Sequence, residues 1–197
     1  MITKFSASSI SGKLFYRSML AGNEAFSDES DFLIQEQVLT STASTITFSS
    51  IPQTYKHLQL RVTARSDNAA EFTSLTLRCN GVSTASYSYH ELYGVGSGTP
   101  TSTGNSAATA YSWGWQSGAN APAGVFSGSI MDILDYSNTT TNKTMRTLNG
   151  MYGSSFYRTY FTSGVFLSTA AISSLTIATG SGSFQIGSRF SLYGSLG

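Results

Sequence analysis

In "HLQLRVTAR", Leu58, Leu60, Val62 and Ala64 fall on every second position, with Gln59, Arg61, Thr63 and Arg65 on the other phase. Successive strand side chains point to opposite faces, so this alternation predicts a half-buried strand over residues 57–64. Its apolar face belongs to a core. Its Arg61/Arg65 face meets solvent or a subunit. Short β-branched and aromatic runs recur along the chain and predict further strands at 32–39, 45–48, 72–79, 87–93, 110–115, 125–134, 144–151, 157–161, 165–167, 175–178 and 184–193.

Turn chemistry separates these runs: Pro52, Asn80-Gly81, a glycine-rich stretch at 94–104, Asn120–Pro122, Asn138–Asn142, Asn149-Gly150 and Gly180–Gly182. Residues 94–110 are small and polar, which predicts a long loop at one end of the domain. No window keeps a helical period over three turns. The expected fold is all-β, an antiparallel β-sandwich of jelly-roll type over residues 32–197. Sequence does not separate it from a closed barrel.

Residues 1–31 break the pattern. Phe5, Leu14, Phe15, Tyr16, Met19, Leu20 and Phe26 follow neither a helical nor an alternating period, and Glu24, Asp28, Glu29 and Asp31 form an acidic patch behind them. This reads as an extended N-terminal arm whose apolar side chains are candidates for attachment to another protein.

Composition narrows the function. Charged residues make up 11 % of the 197, against about 25 % in ordinary soluble domains. Such a surface suits a protein covered by partners, or a virion or extracellular β-protein. The net charge of +1 gives no footprint for nucleic acid. Between Leu92 and Met131 there is no Asp, Glu, Lys or Arg, and no acidic residue follows Asp135.

Cys79 is the single cysteine, which excludes an internal disulfide and a cysteine zinc cage. It alternates with Leu75 and Leu77 and reads as a small buried hydrophobe. The sequence has no continuous apolar leader and no stretch long enough to cross a bilayer. The expectation is synthesis in a host cytoplasm without membrane insertion, with the sequons at Asn138 and Asn142 arising by chance in a Thr-rich turn.

Motifs of catalysis and nucleotide binding are missing, and no cofactor is expected. His57 and His90 read as structural, because His90 and its neighbour Glu91 point to opposite faces. Asp132 and Asp135, three apart on a strand, also diverge. Asp132 with Arg146 reads as a cross-strand ion pair, and Asp135 as a turn residue. Tyr111, Trp113 and Trp115 alternate in "YSWGWQ". On one exposed face they would form a platform for a host-surface glycan; turned inward they would fill the core.

Three separated blocks in order, "ITFSSIPQTYKHLQLR" (46–61), "DILDYSNTTTNKTMRTLNG" (132–150) and "FSLYG" (190–194), resemble a family of small tailed-bacteriophage virion proteins. The resemblance spans about residues 32–194. It implies a β-rich, non-enzymatic virion component that forms homo-oligomers, here expected as a trimer. The chain lacks the long shaft of a complete tail fibre, which leaves capsid decoration or a compact tail component as its place. The arm at 1–31 would then join it to other virion proteins. The contrasting expectation is a lectin-like receptor-recognition domain of a tail fibre.

Overall fold

The computed structural model describes residues 31–154 and 156–196. The arm residues Phe5, Leu14, Phe15, Tyr16, Met19, Leu20 and Phe26 therefore lie outside the described residues. The rest is all-β, with two antiparallel sheets packed face to face: β1 (Phe32–Val38), β2 (Thr45–Phe48), β3 (His57–Ala64), β4 (Phe72–Cys79), β5 (Tyr87–Val95), β6 (Thr101–Ala108), β7 (Tyr111–Ser117), β8 (Ser127–Leu134), β9 (Lys143–Tyr152), β10 (Tyr157–Phe166), β11 (Leu175–Thr179) and β12 (Arg189–Ser195).

The broad sheet runs β1-β12-β3-β8-β9-β10-β5-β6 and the small one β2-β11-β4-β7. Without β1, β8, β9 and β12, the other eight strands form β2-β11-β4-β7 facing β3-β10-β5-β6. That interleaving is the order of a jelly roll. The β8–β9 hairpin is inserted between β3 and β10, and β12 with β1 extends the edge beyond β3.

Between the sheets the alternating positions interdigitate. Leu58, Leu60 and Val62 of β3, Met131 and Ile133 of β8, and Phe190 and Leu192 of β12 meet Ile46, Phe48, Leu75, Leu77, Leu175 and Ile177 of the small sheet. Burying each such side chain contributes roughly 1.5–3 kcal/mol before ordering costs. Cys79 belongs to this core, and burial pushes its thiol up to about 12. A maleimide at pH 7.5 is therefore expected to leave the native protein unlabelled and to react only as the chain is unfolded in urea. Fast native labelling would contradict the packing.

The structure departs from the sequence expectations at several points. The loop expected at 94–110 contains β6, which pairs with β5 from Tyr87↔Ala108 to Tyr93↔Thr101. The two short strands expected at 157–161 and 165–167 are one continuous strand, β10, paired on both sides. Phe184 stands apart from β12, in isolated bridges to Ala43 and Ser66.

Arg65 is buried rather than on the wet face. Its guanidinium donates to the carbonyls of Ala119, Ala121, Pro122 and Val125 at 2.7–3.1 Å, and so clamps the β7–β8 loop onto the end of β3.

Candidate functional site

The aromatic stripe on β7 does not form a platform. A bulge between Leu75 and Thr76 on one strand and Ser112–Gly114 on the other inserts Trp113 as an extra residue and reverses the phase of the strand beyond it. Tyr111 and Trp113 are fully buried, with the Tyr111 hydroxyl donating to the Thr162 carbonyl at 3.2 Å. Trp115 comes out on the opposite phase, half-buried, with Phe72 edge-on at 4.9 Å.

The bulge needs glycine: Gly114 has φ +144°, and a Cβ there would lie 2.6 Å from the Asn149 side chain. Asn149 uses that space to bridge the sheets, accepting from Trp115 N and donating to Trp115 O, both at 3.0 Å. Two of the three candidate sugar-stacking rings, Tyr111 and Trp113, are thus core, and the bulge separates Trp115 from them by turning it to the other face.

The other candidate residues have structural partners. Asp132 faces Arg146 across the β8–β9 ladder, as its position predicts, accepting from Arg146 Nε and Gln59 Nε2 at 3.0 Å each. Asp135 begins the following turn with φ +48°, and its backbone N–H donates to His57 Nδ1 at 3.0 Å. His90 is exposed and Glu91 buried, on opposite faces. Among the described residues no group of three or more His, Cys, Asp or Glu side chains converges as a metal site, and no helix is long and apolar enough to cross a membrane.

Burial raises the pKa of Glu91, against a weaker opposing effect of the Ser112 hydroxyl and His90. An acid whose folded pKa is raised binds its proton more tightly in the fold. Its contribution to stability is greatest at low pH and is lost as pH rises through that folded pKa, above the ordinary 4.5. Glu91→Gln is accordingly expected to raise the melting temperature at pH 8 and to change it much less at pH 4. A uniform loss at both pH values would contradict this reading.

The feature that alternation alone did not single out is the outer face of the broad sheet. Registers place Ile130 opposite Leu148, Leu148 opposite Phe161, and Phe161 opposite Leu92. These four side chains stand in one row across β8, β9, β10 and β5, each about half exposed (48, 56, 50 and 51 %). The neighbouring row is nearly bare: Gly128, Gly150, Thr159 and Gly94. A Cβ at Gly128, Gly150 or Gly94 would meet nothing within 4 Å. Beyond it, Tyr152 and Tyr157 form an exposed cross-strand pair.

Glycines beside an apolar ridge leave a groove of about 570 Å³. Ile130 and Leu148 wall it on one side. On the other stand Arg61, Arg189, Glu36 and Tyr193. Arg61 stacks on the Tyr193 ring at 4.3 Å, donates to Gln59 Oε1 at 2.6 Å and reaches Asp31 Oδ2 at 2.5 Å. Arg189 meets Glu36 at 3.8 Å, beyond hydrogen-bond reach.

The sequence carried a faint signal of this surface. Ile130 and Leu148 occupy the polar phase of their strands, so β8 and β9 each carry a large apolar side chain on the outer face beside the Asp132–Arg146 pair. The arrangement is an exposed apolar strip beside a rim on which Arg61 and Arg189 each face a carboxylate.

Comparison with family models, with curated proteins and with solved structures gives no match.

Proposed function

We propose that the protein is a non-enzymatic structural component of a bacteriophage virion, a self-associating β-sandwich assembled as a homotrimer and attached to capsid or tail through residues 1–31. The observation that carries this reading is the row Ile130–Leu148–Phe161–Leu92. Single exposed hydrophobics are ordinary on soluble proteins, whereas a contiguous patch with a polar rim marks a contact surface. Four in register on adjacent strands make such a patch.

Two further features support the reading. The 11 % charge content leaves little to keep a fully exposed surface soluble. The edge strand β6 is exposed and carries neither charge nor proline, so nothing on it blocks edge pairing. The three-block resemblance to tailed-phage virion proteins supplies the setting. The glycan-binding alternative has lost two of its three rings to the core.

Protein mass spectrometry of purified virions, together with native mass measurement of the isolated chain, tests the proposal. The expected result is the chain in the particles and a species of three times the 21.0 kDa chain mass. A stable monomer absent from virions would overturn it. Deletion of residues 1–31 is expected to leave a folded, β-rich protein that no longer joins the particle; normal incorporation would remove the attachment role.

A further inference from the structure

We infer that the outer face of the broad sheet pairs with the same face of a second copy about a twofold axis, the apolar row of each lying in the glycine row of the other. The inference rests on the proposed reading of this face as a contact between copies, but not on the threefold count or the virion setting. It starts from three glycines that the single chain does not need. Gly94, Gly128 and Gly150 lie in β5, β8 and β9, where glycine weakens a sheet through its flexibility and its missing side chain. None of the three has a positive φ, and a Cβ at any of them would meet nothing within 4 Å. Gly164 is different, since a Cβ there would strike the Ser88 carbonyl. A strand glycine without a reason inside its own chain marks the close approach of another one.

What fits a bare row beside a ridge is a ridge beside a bare row, and this face carries both. The two rows are two residues apart along each strand, roughly 7 Å. A twofold axis running across the strands midway between them lays Leu148 over Gly150 of the second copy, Ile130 over Gly128 and Leu92 over Gly94. Each pair occurs twice. The same operation brings Arg146 opposite Tyr152, a cation facing an exposed ring, and Ser163 opposite Tyr157. Charge does not oppose the contact. On these four strands the outward Asp, Glu, Lys and Arg side chains are Asp132 and Arg146, already paired at 3.0 Å. No like charges meet, and no charge is covered without a partner.

The area is sufficient. The four ridge side chains and the Tyr152–Tyr157 pair are each about half exposed. At about 150–250 Å² for a whole large side chain, they offer roughly 450–750 Å² per copy before the glycine backbone is counted. A stable interface takes about 800 Å² from each partner. Sheet twist confines the contact to these middle strands. Such a contact closes on itself in a pair, so a trimer is held through another surface and this one joins two trimers.

Sedimentation equilibrium of the full chain over a concentration series tests this with two variants. Gly150→Leu fills the bare row at β9 and is expected to weaken the contact at least tenfold. Adding Leu148→Gly in the same chain moves the ridge side chain by two residues and restores a Leu-over-Gly pair on both sides of the axis. The double variant is expected to recover to within about threefold of wild type. Both positions lie on the outer face, clear of the core, and far-UV circular dichroism at high dilution reads the fold separately. Association of Gly150→Leu as tight as wild type, or no recovery in the double variant, would overturn the inference. A wild-type species of two chains that responds to both variants would retire the trimer and leave this contact standing. A trimer indifferent to both would retire the contact alone.

Discussion

Arg65→Ala is expected to cost the domain about 3–4 kcal/mol, seen as a fall in the urea midpoint without loss of two-state behaviour. Four carbonyls converge on one buried guanidinium, and each charge-assisted hydrogen bond is worth roughly 1.5–3 kcal/mol. The loss is smaller than their sum because water can enter the vacated site and satisfy part of it. For a domain of this size that corresponds to a melting temperature lower by roughly 6–16 °C. Arg65→Lys is expected to recover only part, since one ammonium has three donors on a point and cannot span four acceptors arranged around a planar fork. A stability within about 0.5 kcal/mol of wild type for Arg65→Ala would show that the β7–β8 loop holds itself.

The opposite signature is expected of Leu148→Asp combined with Phe161→Asp. Both side chains are half exposed on the outer face, and neither belongs to the core. The loss of stability should stay at about 1–2 kcal/mol, set by Asp in a strand and by the two carboxylates facing each other across the β9–β10 ladder. Self-association should weaken about a hundredfold or more. Two carboxylates placed in a desolvated contact without partners cost several kcal/mol, and about 2.7 kcal/mol already equals that factor. Sedimentation equilibrium over a concentration series gives the dissociation constant. An unchanged oligomer would place the subunit contact elsewhere, with the β6 edge next in line.

The two expectations concern a buried clamp at the end of β3 and an exposed face of β9 and β10, and they mark how far sequence carries. Alternation placed most strands within a few residues, because one face of each is held by a core that tolerates only apolar side chains. It failed where geometry is set by backbone contact. Ser163-Gly164 looked like a break in β10, but Gly164 is small because a Cβ would lie 2.4 Å from the Ser88 carbonyl and 2.6 Å from the Tyr111 ring. Thr101–Ala108 looked like a loop, because as an edge strand it is held by hydrogen bonds to β5 and buries little beyond Ala108. The bulge at Trp113 is a single inserted residue that no period reveals, and it decided the fate of the aromatic stripe.

The exposed apolar row was hidden for a different reason. Ile130, Leu148, Phe161 and Leu92 are far apart in sequence and become neighbours only through the order β8-β9-β10-β5. Alternation tells which face a residue takes, not which strand lies beside it. The insertion of the β8–β9 hairpin between β3 and β10 therefore created the row, and its faint local mark is an apolar residue on the outer phase of each of those two strands. The ion pair of Asp132 with Arg146, by contrast, was legible because β8 and β9 form a hairpin whose register follows from the turn between them.

The most direct test of the central claim is a cryo-electron microscopy reconstruction of the phage particle at a resolution that traces this domain. The outer face of the eight-stranded sheet should lie in a protein contact, with a neighbouring copy covering Phe161 and Leu92. A particle lacking the protein, or one in which that face looks out into solvent while the copies touch elsewhere, would contradict it.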